Sequence, residues 1–253
     1  MKEGMKPPAL APVAAVPPSP NIVTRTGRGL LDLLFPPRCV ICRQTGSSFC
    51  AVCLARVQPV GEEARSTLRE GGGFPASALR SAGVYAPPLS LAIRQFKYRG
   101  RTDLAGSLGG LMASYWQSCS IHVDLVAAVP LHEKRLRERG YNQAELLAVE
   151  LCRAARLPLL SPDMLSRQRD TEHQVRLGPE ERRRNVAGAF VWNGPPLSGS
   201  TVLLVDDVAT TGSTLEACAE VLMHSGASHV WALTAARALA RAGEDRLRGG
   251  SMS

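Results

Sequence analysis

The chain has 253 residues, enough for one main domain of ordinary size and a small additional module. Its composition is 45% hydrophobic, yet no apolar run approaches the roughly 20 residues that a membrane helix needs, so membrane insertion is excluded. The formal net charge of +8 suits an anionic partner such as a nucleotide, a phosphosugar or nucleic acid. An arginine-rich solvated surface explains the same charge equally well.

The first residues are rich in proline and alanine, and we predict a disordered leader over residues 1–27. Prolines interrupt its apolar pieces too often for a signal peptide. Of seven cysteines, Cys119, Cys152 and Cys218 lie in apolar, helix-like stretches and are predicted to be core residues. An odd number of cysteines without a signal peptide favours a reducing compartment, so we expect a cytoplasmic protein.

The other four cysteines form two pairs, in the pattern Cys39-x2-Cys42-x7-Cys50-x2-Cys53. Four thiolates in two pairs suit a closed tetrahedral Zn²⁺ site. Two matched pairs favour structural zinc over a redox pair, and the metal would stabilise a segment too small to have its own core. We therefore predict a zinc-ribbon-like module over residues 28–60, followed by a linker rich in glycine and charge over residues 61–78.

From residue 79 to residue 238 the signals for strands and helices alternate, which predicts an α/β domain with a mostly parallel sheet. Strands are expected at 124–129, 201–205 and 229–234, and helices at 143–156 and 214–225. The strands are almost continuously apolar, as expected when helices cover both faces. Asn142 and Ser213 are predicted to cap the two helices, Gly226 to end the second, and residues 239–253 to form a flexible tail.

Two adjacent carboxylates, Asp206 and Asp207, are expected where the strand at 201–205 ends, and small residues follow them. The small-residue segment comprises Val208, Ala209, Thr210, Thr211, Gly212, Ser213 and Thr214. Its backbone N–H groups can surround a phosphate at the start of a helix. The carboxylates would repel that phosphate, so they should face ribose hydroxyls or a metal. The pattern indicates a ribose 5-phosphate site with Mg²⁺; the alternative is a capped strand and a turn without a ligand.

Residues 201–214 resemble the motif with which type I phosphoribosyltransferases bind phosphoribosyl pyrophosphate (PRPP). The resemblance implies that Asp206 and Asp207 are the catalytic pair that holds the ribose. In these enzymes a second loop wraps the pyrophosphate, and its natural candidates here are Pro130, Leu131 and His132. A basic cluster could add countercharge, although it could equally form a solvated helix face; it comprises Lys134, Arg135, Arg137 and Arg139.

Taken together, the chain from Leu33 to Ala236 resembles the ComF family. The matching segments occur in the family's order: Phe35-Pro36-Pro37-Arg38-Cys39-Val40-Ile41-Cys42, Phe96-Lys97-Tyr98-Arg99-Gly100, Val129-Pro130-Leu131-His132, Arg139-Gly140-Tyr141-Asn142-Gln143-Ala144, Thr171 with Gln174, Glu181-Arg182-Arg183-Arg184-Asn185-Val186, and the acidic pair. The leader and His173 depart from the pattern. The resemblance implies a type I phosphoribosyltransferase-like fold and a role in handling incoming DNA during natural transformation, or a transferase without a known acceptor.

A long polar stretch, residues 167–184, resembles the mobile loop that closes over such sites, and Gln174 and Arg183 are its expected ligand contacts. An ordinary surface helix at 179–184 is the alternative for its second half.

Cations alternate with aromatic rings near residue 97, and Arg94, Lys97, Tyr98 and Arg99 are candidates for binding single-stranded DNA. A helix end with a packed Phe96 is the competing explanation. Two hypotheses follow for the whole chain. One is a PRPP- and Mg²⁺-dependent transferase with an unknown acceptor. The other is a non-catalytic module that binds PRPP or single-stranded DNA and acts with a helicase-like DNA-uptake protein.

Overall fold

The computed structural model describes residues 36–61, 78–169 and 188–239. The predicted leader, most of the predicted linker and tail, and the loop candidates Gln174 and Arg183 lie outside these ranges. Across the described residues, no helix combines the length and the apolar character that crossing a membrane requires.

The secondary structure alternates between strands and helices, as predicted. The strands are β1 (Leu79–Ser81), β2 (Leu125–Ala128), β3 (Leu165–Arg167), β4 (Phe190–Trp192), β5 (Thr201–Ala209) and β6 (His229–Arg237). The helices are α1 (Ala51–Leu54), α2 (Leu89–Tyr98), α3 (Ala105–Gln117), α4 (Glu133–Arg139), α5 (Gln143–Ala155) and α6 (Ser213–His224), with a 3-10 turn at Thr102–Leu104.

Four parallel strands form the central sheet in the order β1-β6-β5-β2, and β3 pairs with β4 in a separate antiparallel sheet. On β5, Leu203 and Val205 join the core that contains α2, α3 and α5, whereas Val202 and Leu204 join the core that contains α6. Both faces of β5 are therefore covered, which explains its continuous apolar run.

The ends of two helices follow the sequence prediction. The Asn142 side chain accepts a hydrogen bond from the Ala144 N–H and begins α5. Gly226, with φ of +97°, follows α6, and its N–H donates to the Met223 carbonyl in a left-handed ending that favours glycine.

Two strands extend further than their hydropathy predicts. β5 continues to Ala209 and β6 to Arg237, because backbone pairing continues through Asp206 with Thr234 and Ala209 with Arg237. Backbone hydrogen bonds do not depend on side-chain polarity, so a hydropathy pattern ends before the ladder does. The acidic pair consequently lies inside β5 and not after it.

The predicted cap of α6 is wrong by one residue. Gly212, with φ of +82°, is the N-cap, and Ser213 is the first helical residue. The Ser213 hydroxyl instead forms a hydrogen bond with the Thr211 hydroxyl, with 2.9 Å between the oxygens.

The four-cysteine segment packs directly on the main domain. Phe49 and Cys53 are buried in the same core as Phe96 of α2. The Ser48 hydroxyl donates to the Asp103 carbonyl at 2.9 Å. Residues 36–61 are thus part of the structure that positions α2.

The three remaining cysteines differ in burial. Cys152 and Cys218 are buried as predicted, whereas Cys119 at the end of α3 is only partly buried.

Candidate functional site

A cavity of about 260 Å³ opens at the carboxyl ends of β2 and β5, where parallel sheets bind ligands. Its lining includes the acidic pair and the entire small-residue segment. The lining residues are Tyr85, Lys97, Tyr98, Val129, Pro130, Leu131, Gln143, Arg167, Asp206, Asp207, Val208, Ala209, Thr210, Thr211, Gly212, Ser213, Thr214, Leu215 and Ala238.

The small-residue segment (residues 208–214) connects β5 to α6 through the left-handed Gly212. The first N–H groups of a helix have no acceptor within the helix, and the helix dipole places partial positive charge there. The wall of the cavity formed by this segment can therefore bind an anion.

The two carboxylates lie in different electrostatic surroundings. Asp207 is 3% exposed, and its Oδ2 lies 2.8 Å from Lys97 Nζ. The Oδ1 atom of Asp206 accepts a hydrogen bond from the Asp207 N–H at 2.7 Å. Burial and the neighbouring charge of Asp207 raise the pKa of Asp206 to about 8, although Lys97 partly opposes this shift.

Lys97 lies inside the cavity, in contact with the acidic pair. Burial alone would lower its pKa, but the carboxylates of Asp207 and Asp206 outweigh burial and raise it. From the sequence, Lys97 is predicted only as a contact for DNA. The helical spacing could have predicted that Lys97 faces inward, because Ile93, Phe96 and Lys97 share one face of α2. Ile93 and Phe96 on that face are fully buried.

Of the other candidates for contacting nucleic acid or pyrophosphate, some line the cavity and others lie outside it. Tyr98 lies at the cavity and is 70% exposed, with the Arg139 guanidinium 5.7 Å from its ring centre. Pro130 and Leu131 line the cavity, whereas the His132 ring caps α4 by accepting from the Lys134 N–H at 3.3 Å. Arg94, Arg99, His132 and Arg139 lie outside the cavity lining.

Three polar lining residues were not identified as site candidates from the sequence. Tyr85 precedes α2, Gln143 begins α5, and Arg167 ends β3 with its guanidinium 5.4 Å from the Phe190 ring centre. Gln143 belongs to the family segment at 139–144 and Arg167 begins the polar stretch at 167–184, but neither pattern indicated a position at the cavity. All three residues reach the cavity through the packing of distant elements.

The four cysteines of the N-terminal segment form one cluster. Their sulfur atoms all lie within 4.8 Å of one another, and Cys42 Sγ is 3.6 Å from Cys50 Sγ. Tetrahedral zinc with Zn–S bonds of about 2.3 Å places its sulfur ligands about 3.8 Å apart, so this arrangement fits zinc. Burial would raise the pKa of Cys39, but hydrogen bonds from backbone N–H groups, beginning with that of Cys50, lower it to about 6. The cluster supports a structural Zn²⁺ ion.

Two family models match the chain. A double zinc ribbon domain matches residues 30–65, and a phosphoribosyl transferase domain matches residues 162–247. With the parallel sheet and the cysteine cluster, these matches define a phosphoribosyltransferase-like protein with an N-terminal double zinc ribbon.

Curated relatives identify the family. The chain is 36% identical over 166 residues to the DNA utilization protein YhgH of Escherichia coli O157:H7, covering 63% of this chain and 72% of that one. It is 30% identical over 220 residues to Competence protein F of Haemophilus influenzae, covering 83% and 95%. Competence protein ComFC of Bacillus subtilis is 28% identical over 152 residues, or 58% of each chain. The chain belongs to the ComF family.

Proposed function

We propose that the cavity binds PRPP together with Mg²⁺ and supports transfer of its phosphoribosyl group. One observation carries the proposal: the small-residue segment, both carboxylates and the cations Lys97 and Arg167 line the same cavity. A sugar with a phosphate at one end and a pyrophosphate at the other needs an anion site, hydroxyl acceptors and countercharge in one place.

Each part of PRPP has a counterpart in the cavity. The small-residue segment would bind the 5-phosphate through backbone N–H groups and the hydroxyls of its threonines and serine. Asp206 and Asp207 would accept hydrogen bonds from the 2- and 3-hydroxyls of the ribose. Arg167 and the backbone of Pro130 and Leu131 would face the pyrophosphate. Gln174, Arg183, His132 and Arg139 stay proposed contacts of the ligand-bound state.

Mg²⁺ prefers oxygen ligands, and ribose hydroxyls held by carboxylates beside a pyrophosphate provide them. When bound, it would supply charge neutralisation to the leaving pyrophosphate. In the transfer step the bond from C1 of the ribose to the pyrophosphate breaks, and an acceptor nucleophile forms the new bond to C1. The acceptor is the open part of the proposal.

Calorimetric titration of the zinc-loaded protein with PRPP and Mg²⁺ tests the site. We expect saturable binding by the wild type, loss of binding in the Asp206→Asn, Asp207→Asn double variant, and retention in Asp163→Asn, which removes an exposed carboxylate outside the cavity lining. Ribose 5-phosphate serves as the ligand without pyrophosphate. No binding by the wild type at millimolar PRPP would overturn the proposal.

Pyrophosphate release separates a transferase from a binding module. We expect release to depend on an added acceptor, and single-stranded DNA and free nucleobases are the first candidates to supply. Saturable PRPP binding without release under any of these conditions would favour the non-catalytic module.

Contact with single-stranded DNA is a second candidate function, favoured by the exposed Tyr98 ring beside the Arg139 guanidinium at the cavity. Arg94 on the same helix and Arg99 directly after it would contact phosphates. The names of the relatives refer to competence and DNA utilization, and we extend that role to this chain as a cytoplasmic protein that acts with a helicase-like partner. Tyr98→Ala should weaken binding of an oligonucleotide by roughly 5- to 100-fold. An unchanged affinity would exclude stacking on this ring.

A further inference from the structure

One side chain reaches the acidic pair from an element far away in the sequence. Lys97 is carried by α2, and its Nζ lies 2.8 Å from Asp207 Oδ2, with 20% of the lysine side chain exposed. We propose that Lys97 is a positioning residue that orients the acidic pair to accept the ribose hydroxyls and favours its charged form. This inference rests on the proposed function and adds a residue to the site.

The helix holds Lys97 in a defined place. Leu89, Ile93 and Phe96 are fully buried on the inner face of α2, so the helix can neither rotate nor slide without opening the core. The Tyr141 hydroxyl donates a hydrogen bond to the Phe96 carbonyl and ties the end of α2 to the segment before α5. The lysine ammonium is therefore delivered to Asp207 by a rigid support.

The charge of the lysine addresses a specific difficulty of this site. Two adjacent carboxyl groups near the buried end of a strand repel each other and favour retention of a proton between them. A protonated carboxyl group is a poorer acceptor for two hydroxyls. The ammonium of Lys97 opposes that protonation, because it favours the negative charge on the pair.

Other ionisable groups contribute to the electrostatics of this region. Cys218 of α6 interacts with Asp206 and with Arg167 of β3, and Tyr98 interacts with Lys97 on α2. Among the described residues, the only ion pair that includes Asp207 is the one with Lys97. The pH dependence of ribose binding should accordingly respond to this lysine more than to other cations.

The experiment compares three variants against three ligands. Lys97→Met removes the charge at similar length, and Lys97→Arg keeps it. Arg153→Met removes a cation that pairs with Glu150 on the surface of α5, so it is a matched control for the loss of an ion pair. Calorimetry measures PRPP with Mg²⁺, ribose 5-phosphate alone, and inorganic phosphate, which probes only the small-residue segment, at pH 7 and pH 9.

We expect Lys97→Met to lose about tenfold or more in affinity for PRPP and for ribose 5-phosphate at pH 7, with the loss shrinking at pH 9. Inorganic phosphate should bind within about twofold of the wild type, which also shows that the variant is folded. Lys97→Arg should retain more affinity than Lys97→Met. If Lys97→Met does not fold, the affinities of Lys97→Arg for the three ligands provide the test. Arg153→Met should match the wild type.

The results that would overturn this inference differ from the result that would overturn the proposed function. A loss confined to PRPP would mean that Lys97 contacts the pyrophosphate directly, and would overturn a positioning role. Equal losses for all three ligands, or no loss for any, would overturn it as well. Failure of the wild type to bind PRPP and ribose 5-phosphate would instead overturn the proposed function, and this inference with it.

Discussion

At the scale of single residues, the site depends on one backbone conformation that only glycine adopts easily. Gly212 has φ of +82° and turns the chain from β5 into α6. A residue with a Cβ pays a steric penalty there of roughly 1–2 kcal/mol. The backbone that faces the proposed phosphate would shift to relieve it.

We therefore expect Gly212→Ala to lower the free energy of unfolding by about 1 kcal/mol and also to weaken phosphate binding. Gly199 provides a matched control, because it has φ of +84° and a Cβ there would meet no atom within 4 Å. Urea denaturation should give similar destabilisation for both variants, and phosphate titration should separate them. Equal phosphate affinity in both would argue against a role for Gly212 in anion binding.

Asp206 makes stability depend on pH in a direction opposite to that of an ordinary surface carboxyl group. Its folded-state pKa of about 8 exceeds its ordinary value of 3.8, so the folded state retains the proton more strongly than the unfolded state. That contribution to stability is fully present below about pH 4 and is lost as the pH rises through 8.

The unliganded protein should lose more stability between pH 6 and pH 9 than the Asp206→Asn variant, by on the order of 1–2 kcal/mol. Urea denaturation at the two pH values measures the change in the free energy of unfolding for each protein. Subtracting the change in the variant from that in the wild type removes the contribution of the cysteines, which titrate in both. An identical pH dependence in both proteins would place the pKa of Asp206 outside this interval.

At the scale of elements, helix α2 connects the zinc ribbon to the ligand cavity. Its inner face packs in the same core as Phe49 and Cys53, and its last turn carries Lys97 and Tyr98. Cys42 is the exposed member of the cysteine cluster, so it can be changed without opening a cavity.

Cys42→Ser should reduce zinc content and lower the melting temperature, and it should weaken PRPP binding because α2 loses part of its support. Zinc analysis, thermal melting and calorimetry check the three effects. Cys119→Ser is the control, since Cys119 lies outside the cluster. Full PRPP affinity in a zinc-free variant would show that the metal does not support the cavity.

Helices α3 and α5 cross closely at Gly109. A Cβ there would lie 2.4 Å from the Glu150 Cβ and 3.3 Å from the Leu151 nitrogen, so a methyl group would force the helices apart. The neighbouring Gly110 has nothing within 4 Å of its Cβ position.

Gly109→Ala should therefore destabilise the protein by roughly 1–3 kcal/mol, whereas Gly110→Ala should be neutral or stabilise it by up to about 1 kcal/mol. Chemical denaturation of the two variants measures both changes. Equal effects at the two positions would contradict the close helix crossing.

At the scale of the whole molecule, the described part of the zinc ribbon and the main domain share one core. The Val84 N–H donates to the Gln58 carbonyl at 2.9 Å, and Gly83 lets Val57 approach, since a Cβ there would lie 2.5 Å from the Val57 Cγ1 atom. Such continuous packing predicts cooperative behaviour of the two parts.

We expect zinc release and loss of helical structure to occur in a single transition on denaturation. Zinc release followed with a chromophoric chelator and circular dichroism should give the same midpoint. Two separate midpoints would mean that the ribbon unfolds independently of the sheet.

The sequence by itself determined the features that are encoded within a few consecutive residues. The two cysteine pairs, the acidic pair with its small-residue segment, the Asn142 cap and the apolar run of β5 were all recognisable, because each depends on local spacing or local backbone preference. The strands β2, β5 and β6, the helices α5 and α6, and the alternation of strands and helices followed from the same patterns.

Only the tertiary structure decided how distant segments meet. It extended β5 and β6 through backbone pairing, joined the ribbon to the main core, and brought Tyr85, Lys97 and Arg167 to one cavity. These residues lie in the segment before α2, on α2 and on β3, which are adjacent only because buried faces pack together. The electrostatic state of Asp206 depends on that packing too, since burial and the charges of Asp207 and Lys97 exist only in the folded chain.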